Sequence, residues 1–289
     1  MSDFNLGAFS DAIADIAEGA APVVASLDAH HGRTTSAFHW GAGYFVAAEE
    51  VLDADDEIEL TLGSGERAKA TLTGRDPSTG IALLKTERID LPVLARASTV
   101  RPGNIAIATG NSEGAALAVL GTVGEAGPAW RSMRGGTIDR RINLAVGAGS
   151  RFEGGPVLDS GGALIGMLLF GPRRRALVIP FETIERTVAV LREKGHVVRG
   201  YLGAALHPAR DGDTAGAMVM GLDESGPAKA AGLHVGDIIV AWNGEPVEGP
   251  RGLMRRLGPD SAGSEVELGI LRGGGRSEVT VTIGEKPLN

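Results

Sequence analysis

The side chains that could do chemistry are few in this sequence. Cysteine is absent, which excludes thiol nucleophiles, disulfides and cysteine-bound zinc. Three histidines, His30, His31 and His39, lie well upstream of the serine Ser150. An imidazole and a hydroxyl are the groups that acyl transfer by a serine nucleophile requires. These four residues are one candidate set for hydrolysis, and loop or surface polar residues are the more ordinary interpretation of them.

Two arginine clusters form a second group of candidates, Arg131, Arg134, Arg140 and Arg141 in one and residues 173–175 in the other. Guanidinium groups bind carboxylates, so either cluster could receive an acidic ligand or neutralise nearby acids. A solvated loop is the simpler interpretation. The formal net charge of −8 argues against a general nucleic-acid or anionic-membrane surface.

The elements that position these groups are predicted to be mainly β. The chain has 289 residues, of which 43% are hydrophobic and 44 are glycine, so it is a globular protein with many turns. Short apolar or alternating segments, separated by turn residues, predict an antiparallel barrel or sandwich. Two helices interrupt the pattern, one over residues 7–18 and one with a buried stripe at Ile184, Val188 and Leu191 that ends at Gly195.

Three regions are predicted along the chain. Residues 1–20 form an N-terminal helical segment, residues 21–198 form the larger unit, and residues 199–289 form a compact second unit. In the second unit, Asn243-Gly244 predicts a tight hairpin turn. The first residues contain no basic region followed by an apolar core, and no stretch is long enough to span a bilayer. The sequence therefore predicts a cytoplasmic protein, or a periplasmic one if a leader has been removed.

Five segments, in the same order, resemble the HtrA/Deg family of proteases; they are residues 43–60, 68–85, 153–171, 176–206 and 226–247. The resemblance implies a trypsin-like double six-stranded antiparallel β-barrel followed by a PDZ-like domain. It also implies positions for a serine-protease triad. The position of the family's histidine is Glu50, that of its aspartate is Gly80, and that of its serine nucleophile is Glu153.

These residue types cannot perform the family's reaction, because Glu153 has no hydroxyl and Gly80 has no carboxylate to orient a base. The preferred interpretation is a catalytically inactive HtrA-like pseudoprotease that acts as an adaptor or chaperone-like scaffold. A serine endopeptidase with an unconventional site is the alternative. A weaker alternative is that Glu50 and Glu153 form a carboxylate pair for sugar-bond hydrolysis or a divalent metal. A vestigial site in which Arg151 or water compensates the charge is preferred, with no metal or cofactor.

Peptide binding is expected in the PDZ-like region. The resemblance assigns Tyr201, Leu202 and Gly203 to a loop that captures a terminal carboxylate, and Ala204 and Leu206 to an edge strand that pairs with the peptide. Leu253 and Leu257 are expected to line the apolar pocket. The expected partners are peptides or protein C-termini. The family also implies a homotrimer, with Phe4, Phe9 and Ile13 at the contact.

Overall fold

A computed structural model describes residues 5–29, 33–52, 57–87 and 91–287. The chain divides into two compact units. The first comprises the chain up to Trp130 together with Ile138–His196, and the second comprises Arg131–Thr137 together with the chain from Val197 onward. The sequence did not predict that the segment Arg131–Thr137 belongs to the second unit.

The first half of the larger unit is a closed six-stranded antiparallel barrel. Its strands, in the order β1-β2-β3-β6-β5-β4, are β1 (Val24–Ala29), β2 (Arg33–Gly41), β3 (Tyr44–Ala48), β4 (Glu57–Thr61), β5 (Arg67–Asp76) and β6 (Ile81–Thr86). The pairing of β3 with β6 sets Phe45 opposite Leu84, and both side chains are fully buried. Burial of such side chains is the main favourable contribution to folding of the barrel.

Strand β2 is the element that the sequence pattern did not predict. Its buried stretch contains the polar residues Thr35, Ser36 and His39, which interrupt the apolar alternation. His39 is accommodated because Nδ1 donates to the carbonyl oxygen of Pro92 at 3.0 Å and Nε2 accepts from the N–H of Gly43 at 3.3 Å. Buried polar groups are tolerated when they are hydrogen-bonded in this way.

The second half of the larger unit is another closed six-stranded antiparallel barrel, which confirms the predicted double barrel. Its strands, in the order β11-β14-β13-β12-β7-β8, are β7 (Ile105–Ser112), β8 (Ala115–Gly127), β11 (Arg141–Ala145), β12 (Pro156–Leu158), β13 (Leu164–Phe170) and β14 (Ala176–Pro180). Two short strands, β9 (Trp130–Arg131) and β10 (Thr137–Ile138), pair with each other.

Two helices belong to the larger unit. Helix α1 (Leu6–Ala20) begins after the N-cap Asn5 and packs against β7 and β8. Helix α2 (Phe181–Lys194) buries the predicted stripe and ends at Gly195, whose positive φ of 74° closes the last turn. Helix α2 packs against β5, β6, β13 and β14, so it contacts strands of both barrels. No helix in the described ranges is long and apolar enough to cross a membrane.

The second unit is built on one antiparallel sheet in the order β16-β17-β18-β20-β21. Its elements are β15 (Gly200–Tyr201), β16 (Ala204–Asp211), β17 (Thr214–Leu222), α3 (Pro227–Ala230), β18 (Ile238–Trp242), β19 (Glu245–Pro246), α4 (Pro250–Arg256), β20 (Glu265–Arg272), β21 (Gly275–Thr282) and β22 (Gly284–Glu285). The predicted turn at Asn243-Gly244 has positive φ at both residues and joins β18 to β19.

Candidate functional site

The loop that contains Glu153 is attached to both barrels of the larger unit. A 3-10 turn over Ser150–Phe152 leads into Glu153. The carbonyl oxygen of Glu153 accepts from the N–H of Ser36 on β2 at 2.9 Å, and the N–H of Gly154 donates to the carbonyl oxygen of Leu168 on β13 at 2.8 Å. These two bonds fix where the Glu153 side chain leaves the loop.

The N–H groups of Phe152 and Glu153 donate to carbonyl groups of the same loop. The N–H of Glu153 donates to the carbonyl oxygen of Ser150 at 3.0 Å, and the N–H of Phe152 donates to that of Gly149 at 3.1 Å. An oxyanion hole requires backbone N–H groups aimed at the substrate oxygen. The N–H of Glu153 is therefore already used inside the turn.

The side chain of Glu153 is only 13% exposed and is held by positive groups. Arg33 Nη2 lies 4.0 Å from its Oε2, and the N–H of Phe170 donates to the carboxylate. Burial raises the pKa of Glu153, and the charge of Glu50 raises it further; the Phe170 N–H, Arg33 and Arg174 lower it without cancelling the effect of burial. The carboxylate is thus stabilised by Arg33, which sequence reasoning missed, instead of the expected Arg151.

The other two triad-like positions lie beside this loop. The N–H of Glu49 donates to the carbonyl oxygen of Gly80 at 2.9 Å, which brings the turn containing Glu50 next to Gly80. The Glu50 side chain is exposed, and its charge acts on Glu153. Gly80 has a φ of +75°, and a Cβ there would lie 2.8 Å from Leu169 Cδ1. The fold thus brings Glu50, Gly80 and Glu153 into one region, with no imidazole or hydroxyl among their side chains.

The first candidate set for hydrolysis, the three histidines and Ser150, is not assembled into a site by the described residues. His30 and His31 lie outside the described residues. His39 is buried in β2, and both of its ring nitrogens are engaged by Pro92 and Gly43. Ser150 lies in the turn before Glu153 and accepts its N–H. The ordinary interpretation of non-catalytic polar residues is the one that these contacts favour, although His39 is a buried structural hydrogen-bonding group and not a loop residue.

The first arginine cluster is dispersed into separate contacts. Arg131 belongs to the second unit, where its Nη2 lies 3.4 Å from Asp260 Oδ2. Arg140 pairs with Glu182 at 2.7 Å, and Arg141 lies over the Trp130 ring at 4.9 Å. Each of these three residues thus has a neighbour of its own, which gives no support to the less favoured interpretation of the cluster as a single acidic-ligand site.

The second arginine cluster forms the tip of the hairpin between β13 and β14. Residues 173–175 are exposed, and Arg174 lies over the Phe170 ring at 5.1 Å. Arg173 and Arg174 both have positive φ, of 59° and 55°. This left-handed conformation costs about 1–2 kcal/mol for each residue that has a Cβ. The two central residues of this turn are therefore held in a backbone conformation that arginine disfavours.

The peptide-binding residues predicted in the second unit cluster around β16. Strand β16 pairs only with β17 among the described strands, so it is an edge of the sheet. Gly203, just before it, has a φ of +71°, and a Cβ there would lie 2.8 Å from Gly226 Cα. The side chain of Leu202 is buried, and the carbonyl groups of Leu202 and Gly203 accept from Ala228 and Asp223. Tyr201 forms β15 with Gly200 and pairs with β22.

The apolar pocket beside β16 is packed by the protein itself. Leu253 on α4 is fully buried and Leu257 is 9% exposed, and both belong to the core of the second unit. Ala204 and Leu206 pack against that core from β16. Leu253 is therefore a core residue in this structure, whereas it was expected to line an open pocket.

Metal binding finds no support in the described part of the chain. No group of three or more histidine, aspartate or glutamate residues there could hold an ion. Glu50 and Glu153 alone supply fewer oxygen ligands than divalent cations usually take from a protein.

Comparisons with known proteins agree with this architecture. Residues 35–167 match a trypsin-like peptidase domain, and residues 200–283 match a PDZ domain. Proteins described as probable periplasmic serine endoproteases, DegP-like, are 31% identical over 85% of this chain, in Pseudomonas savastanoi pv. phaseolicola and Brucella suis biovar 1. The chain covers 54% and 51% of them, so it spans about half the length of these curated relatives.

Solved structures show the same fold. An HtrA-type protease, AlgW with a decapeptide, superposes with a TM-score of 0.71 at 24% identity, over 96% of this chain and 99% of that one. A serine endoprotease from Yersinia pestis gives a TM-score of 0.71 at 24% identity, over 95% and 98%.

Proposed function

Since the chain is homologous to the DegP/HtrA serine proteases, with a trypsin-like peptidase domain and a PDZ domain, we propose that it is a catalytically inactive member that binds polypeptide segments. Its role would be that of an adaptor or chaperone-like scaffold. The observation that carries the proposal is the carboxylate of Glu153, held by the Phe170 N–H and faced by Arg33, at the position that the family resemblance assigns to the nucleophile.

The side chains at the three positions support this proposal chemically. Acyl transfer needs a hydroxyl nucleophile, an imidazole base and a carboxylate that orients the base. Attack by the Glu153 carboxylate on an amide would give an anhydride, which is not a productive route for peptide cleavage. Loss of one triad member already costs several orders of magnitude in rate. The N–H of Glu153 donates to the carbonyl oxygen of Ser150, so it is not available to stabilise an oxyanion.

We expect no cleavage of unfolded casein by the purified chain and no labelling by a fluorophosphonate serine probe. The Glu153→Ser variant should also be inactive, because Glu50 and Gly80 would leave the new hydroxyl without an imidazole and its carboxylate. Gel analysis of casein and mass spectrometry of the labelled chain measure both properties. Cleavage by the parent, with one labelled serine, would favour the alternative of an endopeptidase with an unconventional site and would sink this proposal.

The third function considered, a carboxylate-pair hydrolase or metal site, has less support. Burial raises the pKa of Glu153, as a general acid would need. Arg33 and Arg174 nevertheless lower it, and the described residues offer no further metal ligands nearby. We therefore retain the binding function as the single proposal.

Peptide capture by the second unit follows from the edge position of β16. An extended peptide can add a strand to an exposed sheet edge, and backbone N–H groups at the preceding loop can hold its terminal carboxylate. The segment of Tyr201, Leu202 and Gly203 would supply those N–H groups, and Ala204 and Leu206 lie on the edge strand β16. The partners would be peptides or protein C-termini.

The compartment and assembly follow the relatives. The curated relatives are named periplasmic, and we propose that compartment, since nothing in the comparisons supports the cytoplasmic expectation. We also propose a homotrimer with Phe9 and Ile13 of α1 at the contact; Phe4 lies outside the described residues. Light scattering should give three chains for the full protein and one after deletion of residues 1–20. A trimer that survives the deletion would contradict this contact.

A further inference from the structure

Arg33 and Arg174 act on the partly buried carboxylate of Glu153. Arg173 and Arg175 flank Arg174 on the same hairpin, and Arg151 lies two residues before Glu153; we call these five residues the arginine rim. All five are exposed. They come from three separate segments, namely the start of β2, the turn before Glu153 and the hairpin after β13. The rim therefore combines three segments of the larger unit, and the segments of Arg33 and Arg174 lie within electrostatic reach of Glu153.

Among the residues that the structure describes, few carboxylates pair with the arginine rim. Glu50 and Glu153 are the two carboxylates that face it, and Arg33 makes a long 4.0 Å contact with Glu153. Within the described ranges, Arg151, Arg173 and Arg175 form no ion pair.

The backbone conformation of the hairpin turn does not favour arginine at its two central positions. Other described turns with two successive residues of positive φ end in glycine, at Ala42-Gly43, Glu113-Gly114, Asn243-Gly244 and Gly273-Gly274. Arg173-Arg174 is the exception, with a Cβ at both left-handed positions. Asn-Gly is the pair that this turn geometry favours. Strained positions of this kind concentrate at functional sites, and here the strained residues present two exposed guanidinium groups.

We propose that the arginine rim binds an acidic segment of a polypeptide, whose carboxylates take over the positive groups that now face Glu153. Guanidinium groups bind carboxylates by paired, charge-assisted hydrogen bonds. A peptide fits better than nucleic acid, because the acidic chain as a whole repels a long polyanion. The site is distinct from the edge strand of the second unit. It rests on the proposed function in one respect, since the bound segment is retained and not cleaved.

In this arrangement the Glu153 carboxylate competes with the acidic ligand for the rim arginines. It places a carboxylate among the rim arginines and repels an incoming one. Removing its charge should therefore strengthen binding, whereas removing the hairpin guanidinium groups should weaken it. The two changes act in opposite directions on one measurement, which separates this site from non-specific attraction.

The test uses the full chain and a fluorescent peptide of alternating glutamate and alanine with an amidated C-terminus. Amidation removes the terminal carboxylate that a PDZ groove captures. Fluorescence anisotropy at low salt should show binding that weakens as salt rises. A matched peptide with glutamine in place of glutamate should bind about tenfold or more weakly, a difference of about 1.4 kcal/mol.

Variants of the chain make the assignment specific. The double variant Arg173→Asn/Arg174→Gly should lose about tenfold or more in affinity, while its melting temperature stays the same or rises because the turn strain is relieved. Glu153→Gln should bind several times more tightly. Arg101→Asn, which removes an exposed arginine outside the rim, should bind like the parent.

Three results would overturn the inference. These are equal affinity of the double variant and the parent, equal affinity for the glutamine peptide, and full displacement by inorganic phosphate where chloride of equal ionic strength has no effect. The last result would identify a phosphate site. Mass spectrometry of the peptide after titration tests the proposed function separately. A cleaved peptide contradicts inactivity, while an intact peptide with no arginine-dependent binding contradicts only the rim.

Discussion

The Gly154→Ala variant should lose on the order of 4 kcal/mol of unfolding free energy, because a Cβ has no space at this position. An ideal Cβ on Gly154 would lie 2.2 Å from the carbonyl oxygen of Ser36 and 3.0 Å from the backbone nitrogen of Ala48. Gly154 also has a φ of +80°, which disfavours alanine. Both obstructing atoms belong to the backbone, so no side-chain rotation can relieve the overlap.

A neighbouring glycine provides the matched control. Gly149 has a φ of −86°, and a Cβ there would meet nothing within 4 Å. Gly149→Ala should therefore change stability by no more than about 0.5 kcal/mol. Denaturant unfolding followed by circular dichroism measures both variants. Similar midpoints for the two would show that the loop adjusts freely at Gly154, contrary to the geometry.

This contrast explains how the loop that contains Glu153 keeps its shape. The neighbouring Gly155 is equally confined, since a Cβ there would lie 2.2 Å from the carbonyl oxygen of Thr109. The two glycines allow the loop to pass between β2 and β13 and to form the hydrogen bonds of Ser36 and Leu168. Their role is structural and does not depend on hydrolysis. A Gly-Gly pair after the nucleophile position is therefore weak evidence of activity.

Sequence reasoning succeeded where a local pattern determined the structure. The stripe of α2 and its C-terminal Gly195 follow from helical periodicity and from the left-handed end that glycine allows. The turn at Asn243-Gly244 follows from the same conformational preference. Strand β2 was missed because His39 and Ser36 are satisfied by partners elsewhere in the chain, which no local pattern can show.

The resemblance assigned the positions of the candidate site, and the fold adds electrostatic contacts that the sequence did not predict. Motif spacing placed Glu50, Gly80 and Glu153, and the fold brings these residues into one region. Arg33 and Glu153 lie far apart in the sequence, so their contact follows only from the folded arrangement of the two barrels. The turn at Arg173-Arg174 was not predicted, because its backbone contradicts the preference of its own residues.

Replacement of Asp237 by asparagine should destabilise the chain by about 2–4 kcal/mol, since a buried acceptor loses its charge while its donors remain. The side chain of Asp237 is 2% exposed and accepts from the His234 N–H at 2.7 Å, and from Arg272 Nε and Nη2 at 2.8 and 2.7 Å. Arg272 is 40% exposed and can be rehydrated, so we expect this loss of unfolding free energy to be no larger than that for a fully buried ion pair.

The pH dependence of this effect has a definite sign. Burial alone would raise the pKa of Asp237, but the hydrogen bonds from Arg272 and His234 outweigh it and hold the pKa below the ordinary value of 3.8. A carboxylate with a lowered pKa contributes its full stability above the unfolded value and loses it as the pH falls through the folded one. The difference between parent and Asp237→Asn should therefore be constant from neutral pH to about 4 and shrink below it.

An exposed ion pair in the same unit supplies the control for Asp237. Glu245 is 76% exposed and lies 2.9 Å from Arg256, so Glu245→Gln should cost less than about 1 kcal/mol at neutral pH. Denaturant unfolding of both variants across the pH range gives the comparison. Equal losses would mean that burial of Asp237 contributes nothing. A larger loss of stability for Asp237→Asn that decreases in acid would show that its buried hydrogen bonds hold β18 to β20. These two strands are neighbours inside the sheet whose edge strand β16 is proposed to bind peptide.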